Sequence, residues 1–301
     1  MMTISPSPQA CSVCLCGDDL YLYGHRHQLM PGKFSLSLEN RYFNKTSGPT
    51  HHHEEPVSPA ASDSDEQEKL REYRPSLTLA YGVGTNLTLA ASLASSVRRF
   101  EEVSSAGSEI QNISGFGDLQ LQAMWNIDLF SKSNRSYILG TLLSIKAPTG
   151  SDGKTSEGQR LDDHLQCGTG SWDYKAGFGL ARVTNLYSAY GSFYYQLNGT
   201  NDFQFHYGNI YLFNLGGEYR PSLDFALTGE LNGRFAKRDE ENNELLPNTG
   251  GWVLYLTPGF RYNLAPTLGV IANVQIPIYE DLYEDQNEGG VFTLSFRYDV
   301  L

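Results

Sequence analysis

Gly290-Val291-Phe292-Thr293-Leu294-Ser295-Phe296-Arg297-Tyr298-Asp299-Val300-Leu301 is an unbroken two-residue alternation. Phe292, Leu294, Phe296, Tyr298 and Val300 share one face, and Thr293, Ser295, Arg297 and Asp299 share the other, because successive side chains of a strand point to opposite sides. Such a strand has two possible homes. In a soluble sandwich the apolar face turns to the core; in a membrane barrel it faces lipid while the polar face lines a wet lumen. The rest of the chain decides between them.

The 301 residues carry 15 Phe, 19 Tyr, 3 Trp and 30 Gly, enough for one large β-domain or two small ones. No apolar run approaches the ~18 residues of a transmembrane helix, so a helical span is excluded. A β-barrel is not, since its alternating strands average out in a mean hydropathy of -0.38. The net charge of -12 excludes nucleic acid as a partner, which would call for basic patches. Met1 to Ala10 has neither a basic nor an apolar signal region. The barrel reading therefore takes a signal peptide as already removed, against the alternative of a chain that stays in the cytoplasm.

Alternation recurs upstream and predicts strands at 34–44, 73–83, 86–100, 115–128, 136–147, 170–183, 186–198, 207–220, 222–237, 251–263, 267–279 and 290–300. Most are longer than the ~5–6 residues typical of soluble sheets and long enough to cross a bilayer with tilt. Tight turns such as Gly84-Thr85 and Thr184-Asn185 alternate with long connections at 45–72, 101–114, 148–169, 199–206, 238–250 and 280–289, with a medium turn at 129–135. Long loops at one end and short turns at the other are the outer-membrane pattern. Aromatics sort likewise: Tyr42, Trp172, Phe235 and Trp252 fall at the long-loop ends, and Trp125, Tyr137, Tyr187, Tyr219, Tyr262 and Tyr298 at the short-turn ends. Two such belts around an aliphatic middle are interfacial anchors. The expected fold is all-β: a twelve-stranded antiparallel transmembrane β-barrel over 34–301, with a long outer loop at 45–72 and an N-terminal segment at 1–33 that is periplasmic or plugs the lumen.

Gly115-Phe116-Gly117-Asp118-Leu119, Lys146-Ala147-Pro148-Thr149-Gly150, Gly168-Thr169-Gly170-Ser171, Gly229-Glu230-Leu231-Asn232 and Pro258-Gly259-Phe260-Arg261-Tyr262 follow one another in the chain. Together they resemble the outer-membrane transporters of the meta-pathway of phenol degradation family, over roughly residues 110–300. The aromatic-rich last strand also resembles the C-terminal assembly signal of bacterial outer-membrane barrels, although Leu301 stands where that signal more often has an aromatic. The resemblance implies an outer-membrane channel for small solutes, with small hydrophobic or aromatic compounds among them, and as partners membrane lipid and lipopolysaccharide.

The polar faces supply the candidate lumen residues: Glu39, Arg41, Arg98, Asp118, Lys146, Asp173, Lys175, Glu218, Glu230 and Arg234, with Arg261, Arg297 and Asp299 beside them. They either select solutes as charged rings do or pair across strands and brace the wall. Cys11, Cys14 and Cys16 are spaced for a soft metal or a disulfide, and His51, His52 and His53 with Glu54 and Glu55 could hold a transition metal or simply be solvated. A thiol-rich N-terminus could also dock a periplasmic partner. Acidic loops at 239–244 and 280–288 would concentrate cations at the mouth. No histidine falls in a predicted barrel strand, and no Gly-x-Ser-x-Gly elbow or phosphate loop is present, so no catalytic residue is expected. Two other readings stay open: a metal- or redox-linked envelope protein, and a soluble β-protein.

Overall fold

The computed structural model describes residues 29–47, 67–104, 107–132, 134–156, 158–283 and 287–300. Twelve strands close into one antiparallel barrel. They are β1 (Phe34–Ser47), β2 (Gln67–Gly82), β3 (Leu87–Ser104), β4 (Gly107–Lys132), β5 (Arg135–Ala147), β6 (Asp173–Thr184), β7 (Tyr187–Leu197), β8 (Ile210–Tyr219), β9 (Phe225–Ala236), β10 (Gly251–Ala265), β11 (Leu268–Leu282) and β12 (Val291–Val300). Each strand predicted from alternation is present. Closure joins β1 to β12 in a register running from Phe34 opposite Val300 to Phe43 opposite Val291. An open edge in hydrocarbon would leave backbone N–H and C=O groups without partners, at several kcal/mol each.

Closure also settles which face is inside. Phe292, Phe296, Tyr298 and Val300 are exposed, as are Leu36, Leu38, Leu77, Leu79, Leu121, Leu143, Leu227 and Leu256, whereas Thr293 and Ser295 are buried. A continuous apolar exterior of this extent has no place in water. The soluble alternative is therefore set aside. At the long-loop end Tyr195, Tyr211, Phe235 and Trp252 form a ladder across β7 to β10. The successive ring centroids lie 4.9, 5.9 and 4.8 Å apart. Tyr42, Trp172, Trp125, Tyr187, Tyr219 and Tyr262 are exposed at the ends where anchoring places them.

The connection expected at 101–114 is strand instead. Residues of β3 and β4 stay paired out to Ser104 opposite Gly107, so this hairpin stands beyond its neighbours. Alternation there is broken by Glu101, Glu102 and Ser104. Hydrogen bonding to the adjacent strand continues a sheet where side-chain pattern fades. The span expected as a loop at 45–72 likewise contributes strand at both ends. The long connection after β5 is not featureless: it carries a small hairpin, Thr155–Ser156 with Gln159–Arg160, and a single helical turn at Asp163–Leu165. No helix among the described residues is long and apolar enough to cross a membrane.

Candidate functional site

Arg41, Arg98, Asp173, Lys175, Glu218, Glu230 and Arg234 are buried inside the barrel, with Glu39, Asp118 and Lys146 on the same face and partly covered. Several of them are sorted into separate ion-paired groups. Glu39 lies 3.9 Å from Arg41 and accepts from Ser295. Glu218 takes Arg220 at 2.6 Å and Arg261 at 3.2 Å. Arg234 pairs with Glu288 of the last long loop. Lys175 stands on the wall of β6.

One group brings three distant motifs together. Asp118, at the irregularity where β4 slips register against β3, accepts the N–H of Gly150 at 2.8 Å, and the N–H and hydroxyl of Thr169 at 2.8 and 2.9 Å. Lys146 bridges Asp118, at 3.5 Å, and Asp173, and donates to Thr169 at 2.7 Å. The glycines are there for close backbone approach. A Cβ on Gly150 would stand 2.7 Å from the Gly117 carbonyl carbon, and one on Gly168 2.7 Å from Gly150, too near for any side chain. Gly-Phe-Gly-Asp, Ala-Pro-Thr-Gly and Gly-Thr-Gly-Ser are thus pieces of one node. It fastens both ends of the connection 148–172 to the wall.

From that node the connection folds into the barrel mouth. Arg98, buried on the inner face of β3, meets Glu72 at 3.1 Å and donates to the carbonyls of His164 and Gln166 at 3.0 and 2.6 Å. Glu72 is further held by Arg74 at 2.7 Å and Ser96 at 2.8 Å. Leu165, with Leu161 and Cys167, packs against Phe43, Leu70, Phe100, Ile113 and Val291. These five wall residues sit on the parity that is polar elsewhere along their strands, so they form an apolar arc inside the mouth, along the neighbouring strands β12, β1, β2, β3 and β4. Reading each polar face as wet throughout its length missed them. The available signal was their apolar character at inward positions near the outer strand ends.

The inward turn is tied to two further connections. His164, 1% exposed, lies edge-on to Phe205 and Tyr207, at centroid distances of 5.3 and 5.6 Å, with its Nε2 3.4 Å from Asp239. Asp239 also accepts the N–H of Gly208 at 2.6 Å. Asp163 takes both guanidinium N–H groups of Arg160, at 2.7 and 2.9 Å, and the amide of Asn201 at 2.7 Å. Burial pushes the neighbouring Asp162 carboxyl above the usual carboxylate range.

Deeper in the barrel a polar ladder runs across β7 to β10. Ser192, Asn214, Asn232 and Thr257 are linked hand to hand, by 3.1, 2.9 and 2.5 Å contacts, and Asn232 also donates to Glu230 at 3.0 Å. Tyr190 donates to the other Glu230 oxygen. Beside the ladder, Leu142, Ala181, Tyr194, Ile210 and Leu212 make a second apolar patch on the inner wall. These side chains are packed together, each at most 7% exposed, so this part of the interior is filled by the wall's own residues.

Cys167 is a free thiol, and burial raises its pKa above the ordinary thiol value. Because the thiolate is the reactive form, maleimide labelling of a variant keeping only this cysteine should be slow at pH 7 and accelerate above pH 9. Labelling at the rate of free cysteine at pH 7 would contradict its packing under the loop. Cys11, Cys14, Cys16, His51, His52 and His53 lie outside the described residues. Among the described residues no three His, Cys, Asp or Glu side chains converge on a metal-sized site.

Residues 70–287 match the family described as "Putative MetA-pathway of phenol degradation". The chain belongs to this family. The match takes in the Asp118–Lys146–Asp173 node, the inward connection and the polar ladder alike, and begins upstream of the motifs at which the resemblance was read. Among solved structures, the COG4313 outer membrane channel from Pseudomonas putida F1 shares the fold, with a TM-score of 0.67 at 16% identity, over 90% of this chain and 97% of that chain. The NanC porin is more distant, with a TM-score of 0.47 at 11% identity, over 87% of this chain and 98% of that chain. No curated protein sequence matches. A family member with a closed barrel, a lipid-facing exterior and two aromatic belts is a protein of the bacterial outer membrane.

Proposed function

We propose that this barrel is a passive channel for small solutes with a substantial apolar or aromatic surface, gated at its outer mouth by the connection 148–172. One observation carries the reading: the inward arc of Phe43, Leu70, Phe100, Ile113 and Val291, covered by Leu161, Leu165 and Cys167 of the connection. An apolar closure on that side of the mouth opposes ions, which lose hydration against it. A solute that is itself apolar loses little there and gains contact. The paired wall charges act chiefly as braces. Glu39, Arg98, Asp118, Lys146, Asp173, Glu218 and Arg234 each have a near partner of opposite sign, and a fully paired charge exerts little net field on a passing molecule.

Two measurements test this. Intact outer-membrane-bearing cells expressing the protein should take up radiolabelled toluene at low concentration faster than cells without it; equal rates would sink the proposal. In planar bilayers the wild-type channel should conduct small ions poorly, and Leu165→Asp, which wets the apolar arc, should raise that conductance several-fold. An unchanged Leu165→Asp conductance would place the constriction elsewhere.

A further inference from the structure

The connections 198–209 and 237–250 hold a polar pocket of about 430 Å³ between them. Thr200, Asp202, Gln204, His206, Glu240 and Asn243 line it, over a floor at Asn201. That volume lies within the range of small-molecule sites. The floor is fixed: the Asn201 side chain accepts from the N–H groups of Phe203 and Phe205 and donates to Asp163.

Two details point to a ligand and to its chemistry. First, Gln204 holds a φ of 62°, where L-residues other than Asn and Asp are rare. Its N–H and carbonyl are both engaged, with Asn201 and Asn242 at 3.1 Å each. Glycine would serve that turn equally well, so the turn does not explain the glutamine side chain. Asn242 and Asn243, also at positive φ, need no such explanation, since a two-residue hairpin turn favours asparagine there. Second, the lining holds two carboxylates and no lysine or arginine, which disfavours anions, and it offers no apolar wall to a hydrophobic solute. A metal is disfavoured because no three ligating side chains converge.

We infer that this pocket binds a neutral saccharide. Each sugar hydroxyl both donates and accepts; the carboxylates of Asp202 and Glu240 accept, the amides of Gln204 and Asn243 do both, and the Thr200 hydroxyl matches either. The site faces the side on which outer-leaflet glycans lie, so the saccharide comes either from lipopolysaccharide or from free sugars at the surface.

The test uses the full chain in detergent. Saturation-transfer NMR with methyl glucoside, methyl galactoside and methyl rhamnoside should give transfer for at least one probe, competed by smooth lipopolysaccharide but not by rough lipopolysaccharide if the O-chain is the source. Competition by neither assigns the site to free sugars. Gln204→Gly keeps the backbone conformation and deletes the amide, and Glu240→Gln keeps the shape and removes the charge. Each should weaken binding at least tenfold while leaving ion conductance and the heat-modifiable gel shift as in wild type. Absence of transfer to every glycan probe, binding that needs calcium and vanishes with EGTA, or equal binding by Gln204→Gly would each overturn the assignment.

Discussion

Replacing Arg98 with methionine is expected to destabilise the barrel by about 3 kcal/mol and to release the inward connection. The side chain is 2% exposed and does two jobs at once: it faces Glu72 at 3.1 Å and donates to the carbonyls of His164 and Gln166. Breaking a buried ion pair from one side typically costs ~3–5 kcal/mol. The lower end applies because Glu72 keeps Arg74 at 2.7 Å and Ser96 at 2.8 Å. Urea unfolding from lipid vesicles measures the loss, and single-channel recording should show a larger, noisier conductance as the apolar arc is uncovered. Arg98→Lys should fall between the two, since an ammonium keeps the charge but not the planar fork that reaches two carbonyls and a carboxylate. Wild-type stability and conductance in Arg98→Met would mean that the connection holds its place without this anchor.

The second large effect is expected at Lys146. Its ammonium stands between Asp118 and Asp173, whose side chains are 3% and 4% exposed. Lys146→Met leaves two carboxylates facing each other with no cation between them, at a cost of roughly 3–5 kcal/mol. Both keep backbone donors, from Gly150 and Thr169 to Asp118 and from Gly199 to Asp173, which favours a folded but weakened barrel. Lys146→Met combined with Asp173→Asn should recover more than half of the loss, because the remaining carboxylate no longer meets a like charge. If the double variant is as unstable as the single one, the cost comes from packing of the lysine stem rather than from the ion pairs. Such coupling between contacting groups is what a double-mutant cycle resolves.

The strands were legible because a barrel wall has a fixed two-residue period. Lipid on one side and a lumen on the other impose opposite chemistry on neighbouring residues, so β9 reads as Leu227 and Leu231 against Glu230, Asn232 and Arg234. The long outer hairpin of β3 and β4 was not legible. Beyond the bilayer both faces meet water, and pairing continues without an alternating pattern. The apolar arc was missed for a related reason: Phe43 and Val291 depart from the period only once each, and their meaning depends on a connection more than a hundred residues away in sequence from either.

The amino-acid sequence by itself determined the class of the protein: alternation sets the strand number, loop lengths set the orientation, and the aromatic positions mark where the membrane begins and ends. It also contained every piece of the Asp118–Lys146–Asp173 node. Only the tertiary structure decided that those pieces touch, that the wall charges are paired, and that the connection 148–172 turns inward to cover the mouth. Periodicity records what each residue faces in its own strand, whereas pairing across a closed barrel depends on register and on loops folding back over it, which no local pattern encodes.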